Sequence, residues 1–284
     1  MNCALCPRNC GVDRKKQAGF CGAKDLKIAR ADLHFYEEPP LSGTRGSGAV
    51  FFSGCSLRCV FCQNFEVSRG RVGKTVTPER LAEIFRELEE KGAHNLNLVT
   101  PTHYLTEIER AFEIYRPKIP VVWNTHAYET EQTVLRAAEI SDVFLPDLKF
   151  YSPEISLRYA GVPDYFEKAF RAVKLMRTLK ADRFDADGML RSGVLIRHLI
   201  LPMNADETFR ILDAVARELP GTKLSLMSQY TPFGEHDYPE LKRRITAREY
   251  NRARAHMQAL GIDGYVQSLD SSGEVYIPNW NLND

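Results

Sequence analysis

The chain of 284 residues is long enough to bury a sizeable core, with room for one large domain and a small extension. Its apolar content of 44% and charged content of 26% are ordinary for a soluble globular protein. The 38 basic and 37 acidic residues leave a net charge of +1, which gives no footprint for nucleic acid or an anionic membrane. No apolar run approaches the roughly 18 residues of a membrane span, and the first residues lack a secretion-signal pattern. We therefore expect a cytoplasmic protein.

The chain begins with a cysteine-rich head, residues 1–25, whose cysteines have the spacing C-x2-C-x3-C-x10-C: Cys3, Cys6, Cys10 and Cys21. This segment has too few apolar residues to form a core of its own, so a bound metal would have to supply its folding energy. Zinc and an iron–sulfur cluster both accept four thiolates, and both interpretations stay open.

Residues 26–48 are rich in proline and glycine towards their end, and we interpret them as a linker. From residue 49 to residue 284 the chain alternates between strand and helix patterns. The predicted strands are 49–52, 95–99, 120–123, 143–145, 193–201 and 223–227, and the predicted helices are 77–91, 105–115, 129–139, 164–180, 206–219 and 246–260. Six such units indicate a parallel α/β sheet and fit a partial (β/α)6 TIM-like barrel. The end of the chain, Val275–Trp280, is expected to pack on the barrel.

A second cysteine set lies in the loop that follows the first of these strands. Cys55, Cys59 and Cys62 have C-x3-C-x2-C spacing within residues 54–64, which we call the cysteine loop. All seven cysteines precede residue 63, and such clustering favours metal ligation in a reducing compartment over disulfides. Three thiolates leave one iron of a four-iron cluster without a protein ligand, so that iron can bind a cofactor or substrate. The alternative is a structural zinc site or a set of buried thiols.

Polar residues follow the predicted strands at the end where β/α barrels carry their chemistry. They are Thr100, Thr102 and His103, then Asn124, Thr125 and His126, then Asp147 and Lys149, then Pro202, Met203 and Asn204, and finally Ser228, Gln229 and Tyr230. Taken alone, Asp147 and Lys149 have the pattern of a surface ion pair. We interpret His103, His126 and His198 as hydrogen-bonded rim or core residues rather than metal ligands.

The cysteine loop, with the aromatic Phe61 directly before its third cysteine, resembles the signature of the radical S-adenosylmethionine (SAM) superfamily. The resemblance implies that Cys55, Cys59 and Cys62 hold a 4Fe-4S cluster and that the amine and carboxylate of SAM chelate the fourth iron. Phe61 would lie near the adenine. One electron would then cleave SAM to methionine and a 5′-deoxyadenosyl radical, which abstracts a hydrogen atom from the substrate.

Within that superfamily, Asp147-Leu148-Lys149, Asn124-Thr125 and Arg197 with Pro202 resemble pyruvate formate-lyase activating enzymes. Together with the head, Gln63-Asn64, Trp123 and Met227–Tyr230, they are similar to the PflX-type branch. The resemblance implies that Asp147 and Thr125 hold a monovalent cation beside the cofactor, that Lys149 contacts its methionine end, and that Asn124, Arg197 and Gln229 belong to the same site. Asn124 stands where activases usually carry aspartate. The usual Gly-Gly-Glu motif is absent, so Thr100, Thr102 and a local backbone carbonyl are expected to receive the cofactor amine.

The substrate stays open between the backbone glycine of a glycyl-radical protein, a small molecule or peptide, and RNA, with RNA disfavoured by the near-zero net charge. A non-enzymatic module stabilised by zinc is the remaining alternative. The resemblance implies an electron donor such as flavodoxin or ferredoxin as a partner. The oligomeric state is not predicted.

Overall fold

A computed structural model describes residues 3–234 and 236–269, so the predicted packing of Val275–Trp280 lies outside the described residues. Ten strands are present in this part of the chain: β1 (Lys27–His34), β2 (Ser47–Phe52), β3 (Lys74–Thr75), β4 (Leu96–Val99), β5 (Val121–Thr125), β6 (Val143–Pro146), β7 (Arg183–Phe184), β8 (Leu190–Leu199), β9 (Lys223–Met227) and β10 (Gly264–Val266). They form one mixed sheet in the order β10-β9-β8-β6-β5-β4-β2-β1-β3, with β7 paired to β8.

The same residues form nine α-helices: α1 (Pro39–Ser42), α2 (Phe65–Ser68), α3 (Pro78–Glu90), α4 (Leu105–Ile114), α5 (Glu131–Ile140), α6 (Pro153–Ala160), α7 (Tyr165–Leu179), α8 (Ala205–Glu218) and α9 (Ala247–Ala259). Short 3-10 turns span Thr102–Tyr104 and Pro239–Lys242. None of the helices in the described ranges combines the length and the apolar character that a bilayer span needs.

The parallel strands β2, β4, β5, β6, β8 and β9 are the six strands predicted from the sequence, and the partial (β/α)6 barrel is confirmed. Strand β5 is buried along its whole length, with Trp123 fully enclosed, because helices cover the outer face and side chains fill the interior. A short seventh parallel strand, β10, pairs with β9. Its three residues are too few to show a period in the sequence.

Helix α3 shows how local sequence sets the element boundaries. The Thr77 side chain accepts a hydrogen bond from the backbone N–H of Arg80, and Pro78 occupies the first turn, where its missing N–H costs nothing. The inner face, which includes Phe85 and Leu88, is buried against the sheet as the periodicity predicts.

The interpretation of residues 26–48 as a linker is wrong. Residues 27–34 form β1, which pairs antiparallel with β2 over Ile28↔Phe52 to His34↔Ser47 and also with β3. The prolines and glycines of this segment lie after residue 38, where α1 turns the chain back towards β2. Strand β1 covers the free edge of β2. It supplies hydrogen-bond partners for backbone groups of β2 that would otherwise be unpaired.

Candidate active site

A cavity of about 190 Å³ lies at the carboxyl ends of the barrel strands. Eleven of the twelve residues that the sequence assigned to the cofactor or to the three-cysteine site line it: Cys55, Cys59, Phe61, Cys62, Thr100, Asn124, Thr125, Asp147, Lys149, Arg197 and Gln229. Six consecutive parallel strands or the loops after them supply these side chains. The fold therefore brings the two predicted groups, thiols and polar residues, into one site.

Thr102 is the residue that does not join them. It is fully buried, and its hydroxyl donates to the carboxylate of Glu129 at 2.7 Å. Glu129 also accepts from Trp123 Nε1 at 3.0 Å and from the Thr125 hydroxyl. Thr102 thus belongs to a buried network beneath the cavity, and its predicted contact with the cofactor is not supported by its position.

The cysteine loop is held by backbone hydrogen bonds from several directions. The N–H of Gly54 donates to Val67 O at 2.8 Å, and the N–H of Val60 donates to Tyr159 O at 2.9 Å. The N–H of Leu57 points at Cys55 Sγ, 3.3 Å away. Such N–H groups stabilise a negatively charged sulfur.

Phe61 anchors the loop to the barrel through aromatic contacts. Its ring meets Phe150, Tyr159 and Tyr230 edge to face, with centroids 5.9 to 6.2 Å apart. The ring is nearly buried and still lines the cavity, so its prediction as a contact of the adenine stays a prediction.

Arg197 is the centre of the polar wall. Its Nε donates to Asp147 Oδ1 at 2.7 Å, its Nη1 to Glu37 Oε1 at 2.6 Å and its Nη2 to Asn124 Oδ1 at 2.6 Å. The side-chain exposures of Arg197 and Glu37 are 13% and 10%, so this ion pair is shielded from water. Each nitrogen atom of the guanidinium therefore has a fixed acceptor, which orients the group rigidly.

Asp147 connects this wall to Lys149, whose ammonium donates to Asp147 Oδ2 at 2.6 Å. Burial alone would raise the pKa of Asp147, but the charges of Arg197 and Lys149 outweigh it and the pKa lies below its usual value. For Lys149, burial lowers the pKa, and the charge of Asp147 more than compensates. Both groups are thus charged at neutral pH.

Glu37 is a residue of the site that the sequence did not reveal. It lines the cavity, and its Oε2 accepts from Asn97 Nδ2 at 2.8 Å and from Asn124 Nδ2 at 3.0 Å. Its backbone N–H is held by the Ser42 hydroxyl of α1 at 2.9 Å. Nothing in the local pattern pointed to it, because its role depends on β1 bringing the segment against the barrel. The adjacent Glu38 is buried, and burial raises its pKa to about 7.

The three histidines are hydrogen-bonded core residues, as predicted. His103 donates through Nε2 to Ser53 O at 2.8 Å, and His198 lies between Leu148 O and the Thr208 hydroxyl. His126 Nε2 contacts the Ser56 hydroxyl at 2.8 Å beside the cavity. Burial lowers the pKa of all three, to about 4, 4 and 3 for His103, His198 and His126, so they are neutral at physiological pH.

The cysteine-rich head packs directly on the cysteine loop. The N–H of Cys55 donates to Cys21 O at 3.1 Å, and the Arg8 guanidinium donates to the carbonyls of Ser56 and Ala160. Arg14 donates to His103 O on the other side. The two cysteine sets are therefore neighbours in the fold.

Among the residues that the structure describes, no three or more cysteine, histidine, aspartate or glutamate side chains are arranged to hold a metal ion. This holds for the cysteine loop as well as for the head. A four-iron cluster binds each thiolate through a different iron atom, so its ligands stand farther apart than those of one ion.

Comparison with known proteins gives three results. The family model of the radical SAM superfamily matches residues 49–209. The uncharacterised protein MJ0674 of Methanocaldococcus jannaschii is 32% identical over 263 residues, which cover 89% of this chain and 73% of that protein. A radical SAM methyltransferase from Sphaerobacter thermophilus has the same fold, with a TM-score of 0.51 and 14% identity over 79% of this chain and 68% of its own.

A domain of the pyruvate-formate lyase-activating enzyme from Bacteroides vulgatus also matches, with a TM-score of 0.40 and 12% identity over 67% of this chain and 91% of that domain. That similarity is too low to support a comparison of function. The family match, which covers more than half of the chain, and the three thiols in the cavity lead to one conclusion: the chain belongs to the radical SAM superfamily.

Proposed function

We propose that Cys55, Cys59 and Cys62 hold the 4Fe-4S cluster that membership of this superfamily implies, and that the adjoining cavity binds SAM. When bound, this pair supplies a one-electron cleavage of SAM that generates a 5′-deoxyadenosyl radical for hydrogen abstraction. The single observation that carries the proposal is that three thiols and a fixed charged wall line the same cavity.

The donor set fits such a cluster. Burial raises the pKa of Cys59 and of Cys62, so their thiolates would be costly without a positive partner. The Lys149 ammonium interacts favourably with the Cys59 thiolate and supplies part of that charge. An iron–sulfur centre supplies the rest, because thiolates are its usual ligands.

Lys149 and Arg197 are the proposed contacts of the cofactor's methionine end. The Lys149 ammonium donates to Asp147, and its remaining N–H groups can reach a carboxylate in the cavity. Thr100 is the better of the two predicted acceptors of the cofactor amine, since it lines the cavity and Thr102 does not. Thr100 also has a positive φ of 57°, a strained conformation that is common at functional sites.

The predicted monovalent cation stays a proposal. The Thr125 hydroxyl donates to Glu129, and both oxygens of Asp147 accept from basic side chains. A cation at this place would have to share these oxygens with Arg197 and Lys149.

The four thiols of the head are proposed to hold a second metal centre, zinc or iron–sulfur. Burial raises the pKa of Cys6 to about 11, so its thiolate also needs a positive partner.

For the substrate we propose a peptide or protein segment, as in the chemistry of glycyl-radical activases. Phe35 and Tyr36 are each about half exposed, and Tyr36 also lines the cavity. Exposed aromatic side chains at a cavity are typical of surfaces that bind macromolecules.

Flavodoxin or ferredoxin is the proposed electron donor. A purely zinc-binding module is disfavoured by the family membership.

The test is anaerobic reconstitution with iron and sulfide. We expect a broad iron–sulfur absorption band and, with dithionite as the reductant, conversion of SAM to 5′-deoxyadenosine. Cys59→Ala should abolish the cleavage and lower the iron content by about four atoms per chain. The control is Ile114→Ala, which removes an exposed side chain at the end of α4 and should leave dithionite-driven cleavage intact. Undiminished SAM cleavage by the Cys59→Ala protein would refute the assignment.

A further inference from the structure

The cysteine-rich head has an excess of basic over acidic side chains. Residues 1–25 contain five basic and two acidic side chains, a net charge of +3, whereas the complete chain has a net charge of +1. Lys15, Lys16 and Lys24 are exposed. The head is therefore a basic face on a protein whose remaining residues are net acidic, and such a face attracts acidic partners.

The thiols of the head extend from the surface inwards. Cys10 is exposed, whereas Cys21 is buried. Both sulfur atoms approach Gly19, where an added Cβ would lie 3.4 Å from each of them. A centre held by this set would have one edge accessible to a docked protein and the opposite edge inside the fold.

The inner edge touches the site described above. The carbonyl of Cys21 accepts the hydrogen bond of the Cys55 N–H at 3.1 Å, so a ligand residue of one centre contacts a ligand residue of the other. Arg8 fixes this arrangement by donating to Ser56 O and Ala160 O. The contact gives a short connection between the two cysteine sets.

Buried donors around the contact have no acceptor among the described residues. They are Nε of Arg14, Nε of Arg58 and Nη1 of Arg69. Arg14 Nη2 lies 3.7 Å from Cys21 Sγ, and Arg58 is close enough to interact with the charges of Cys21 and Cys55. Buried N–H groups without an acceptor are costly, and the sulfur atoms of an anionic cluster are suitable acceptors.

Resting on the proposed function, we propose that the head is the site of electron entry. Its four thiols hold a second iron–sulfur cluster, and its basic face binds an acidic one-electron carrier protein of the flavodoxin or ferredoxin class. On docking, the carrier is oxidised by one electron and the cluster of the head is reduced by one, with no bond made or broken. Zinc cannot take this role, because it has no redox chemistry.

The docking is tested with the anaerobically reconstituted full chain and a reduced flavodoxin. Lys15→Glu combined with Lys16→Glu should raise the flavodoxin Kd about tenfold or more, and wild-type binding should weaken with added salt. The matched control, Arg110→Glu with Lys118→Glu, makes the same charge change on and after α4 and should leave the Kd unchanged. Dithionite-driven SAM cleavage should be the same in all three proteins, because a small reductant needs no docking face.

The cluster is tested by iron content and electron paramagnetic resonance. Wild-type protein should hold about eight iron atoms and show two reduced signals, and Cys10→Ser should lose about four iron atoms and one signal. Cys10→Ser should lose cleavage with flavodoxin, and this loss should be much larger than any loss of cleavage with dithionite. Three results would overturn the inference. They are zinc bound in the head, a flavodoxin Kd that changes with neither salt nor the charge reversal, and a Cys10→Ser protein that loses dithionite-driven and flavodoxin-driven SAM cleavage equally. So would tight binding of single-stranded RNA on this face in place of flavodoxin. Absence of cleavage by wild-type protein with dithionite would instead refute the proposed function.

Discussion

Arg197 shows how one side chain orders the wall of the cavity. Its three nitrogen atoms reach acceptors that come from the loop directly after β6, from β5 and from the segment before α1. Because Glu37 also accepts from the amides of Asn97 and Asn124, it fixes which end of the Asn124 amide faces the arginine. The charges of Glu37 and Asp147 balance those of Arg197 and Lys149. These four side chains are ion-paired and hydrogen-bonded to one another. They can therefore hold their geometry without a net buried charge.

Glu37→Ala tests this role. The change leaves Arg197 Nη1 and two buried amides without an acceptor, and breaking a shielded ion pair from one side costs about 3–5 kcal/mol. We expect a loss of unfolding free energy of this size in denaturant titrations and weaker SAM binding at equilibrium. Glu66→Ala, which removes an exposed partner of Arg71, should cost at most about 1 kcal/mol. Equal effects of the two changes would show that the Glu37 pair is no more important than a surface pair.

At the scale of elements, the junction between the head and the cysteine loop depends on Gly54. Its φ of 90° lies in the region that favours glycine, and a Cβ there would overlap the carbonyl oxygen of Cys21. Residue 54 must therefore lack a side chain if the Cys21–Cys55 hydrogen bond is to form.

We expect Gly54→Ala to separate the head from the loop. Gly92→Ala is the matched control, since Gly92 has a similar φ of 83° but nothing within 4 Å of an added Cβ. Both variants should bear the backbone strain of about 1–2 kcal/mol. Only Gly54→Ala should also increase amide hydrogen exchange in residues 3–25, as followed by mass spectrometry. Similar exchange in the two variants would mean that the contact with Cys21 is unimportant for docking of the head.

The elements that the sequence predicted well are those whose signals are local. Thr77 and Pro78 marked the start of α3, and the apolar runs of β5 and β6 marked buried strands. Strand β1 was missed because the prolines and glycines after it dominated the segment, and its pairing with β2 is a tertiary property. Glu37 and Thr102 show the same limit for the site. Whether a polar side chain faces a cavity or a buried carboxylate depends on neighbours from distant segments.

For the whole molecule, the buried carboxyl of Glu38 links stability to pH. Burial raises its pKa from 4.5 to about 7, although Arg197 favours the charged form. Between about pH 4.5 and 7 the folded chain keeps a proton that the unfolded chain has released, so the unfolding free energy falls as the pH rises. Above about pH 7 this loss of unfolding free energy is complete and amounts to about 3 kcal/mol.

Glu38→Gln should remove this penalty, because the amide is neutral at every pH. Denaturant titrations at pH 5 and pH 8 should show the variant more stable than wild type by up to about 3 kcal/mol at pH 8, with a much smaller gain at pH 5. Glu90→Gln, an exposed change at the end of α3, controls for the loss of a carboxylate. A gain at pH 5 equal to that at pH 8 would contradict the assigned protonation of Glu38.

The partner of Arg197 comes from a part of the chain that the superfamily does not define. The family match begins at residue 49, twelve residues after Glu37, and it ends before Gln229, which also faces the cavity. A fragment cut at these limits would keep the three cysteines of the loop and lose one side of the pocket. Transferring residues 49–209 alone into a related protein would therefore move the cysteine loop without the Glu37 and Gln229 sides of its cavity.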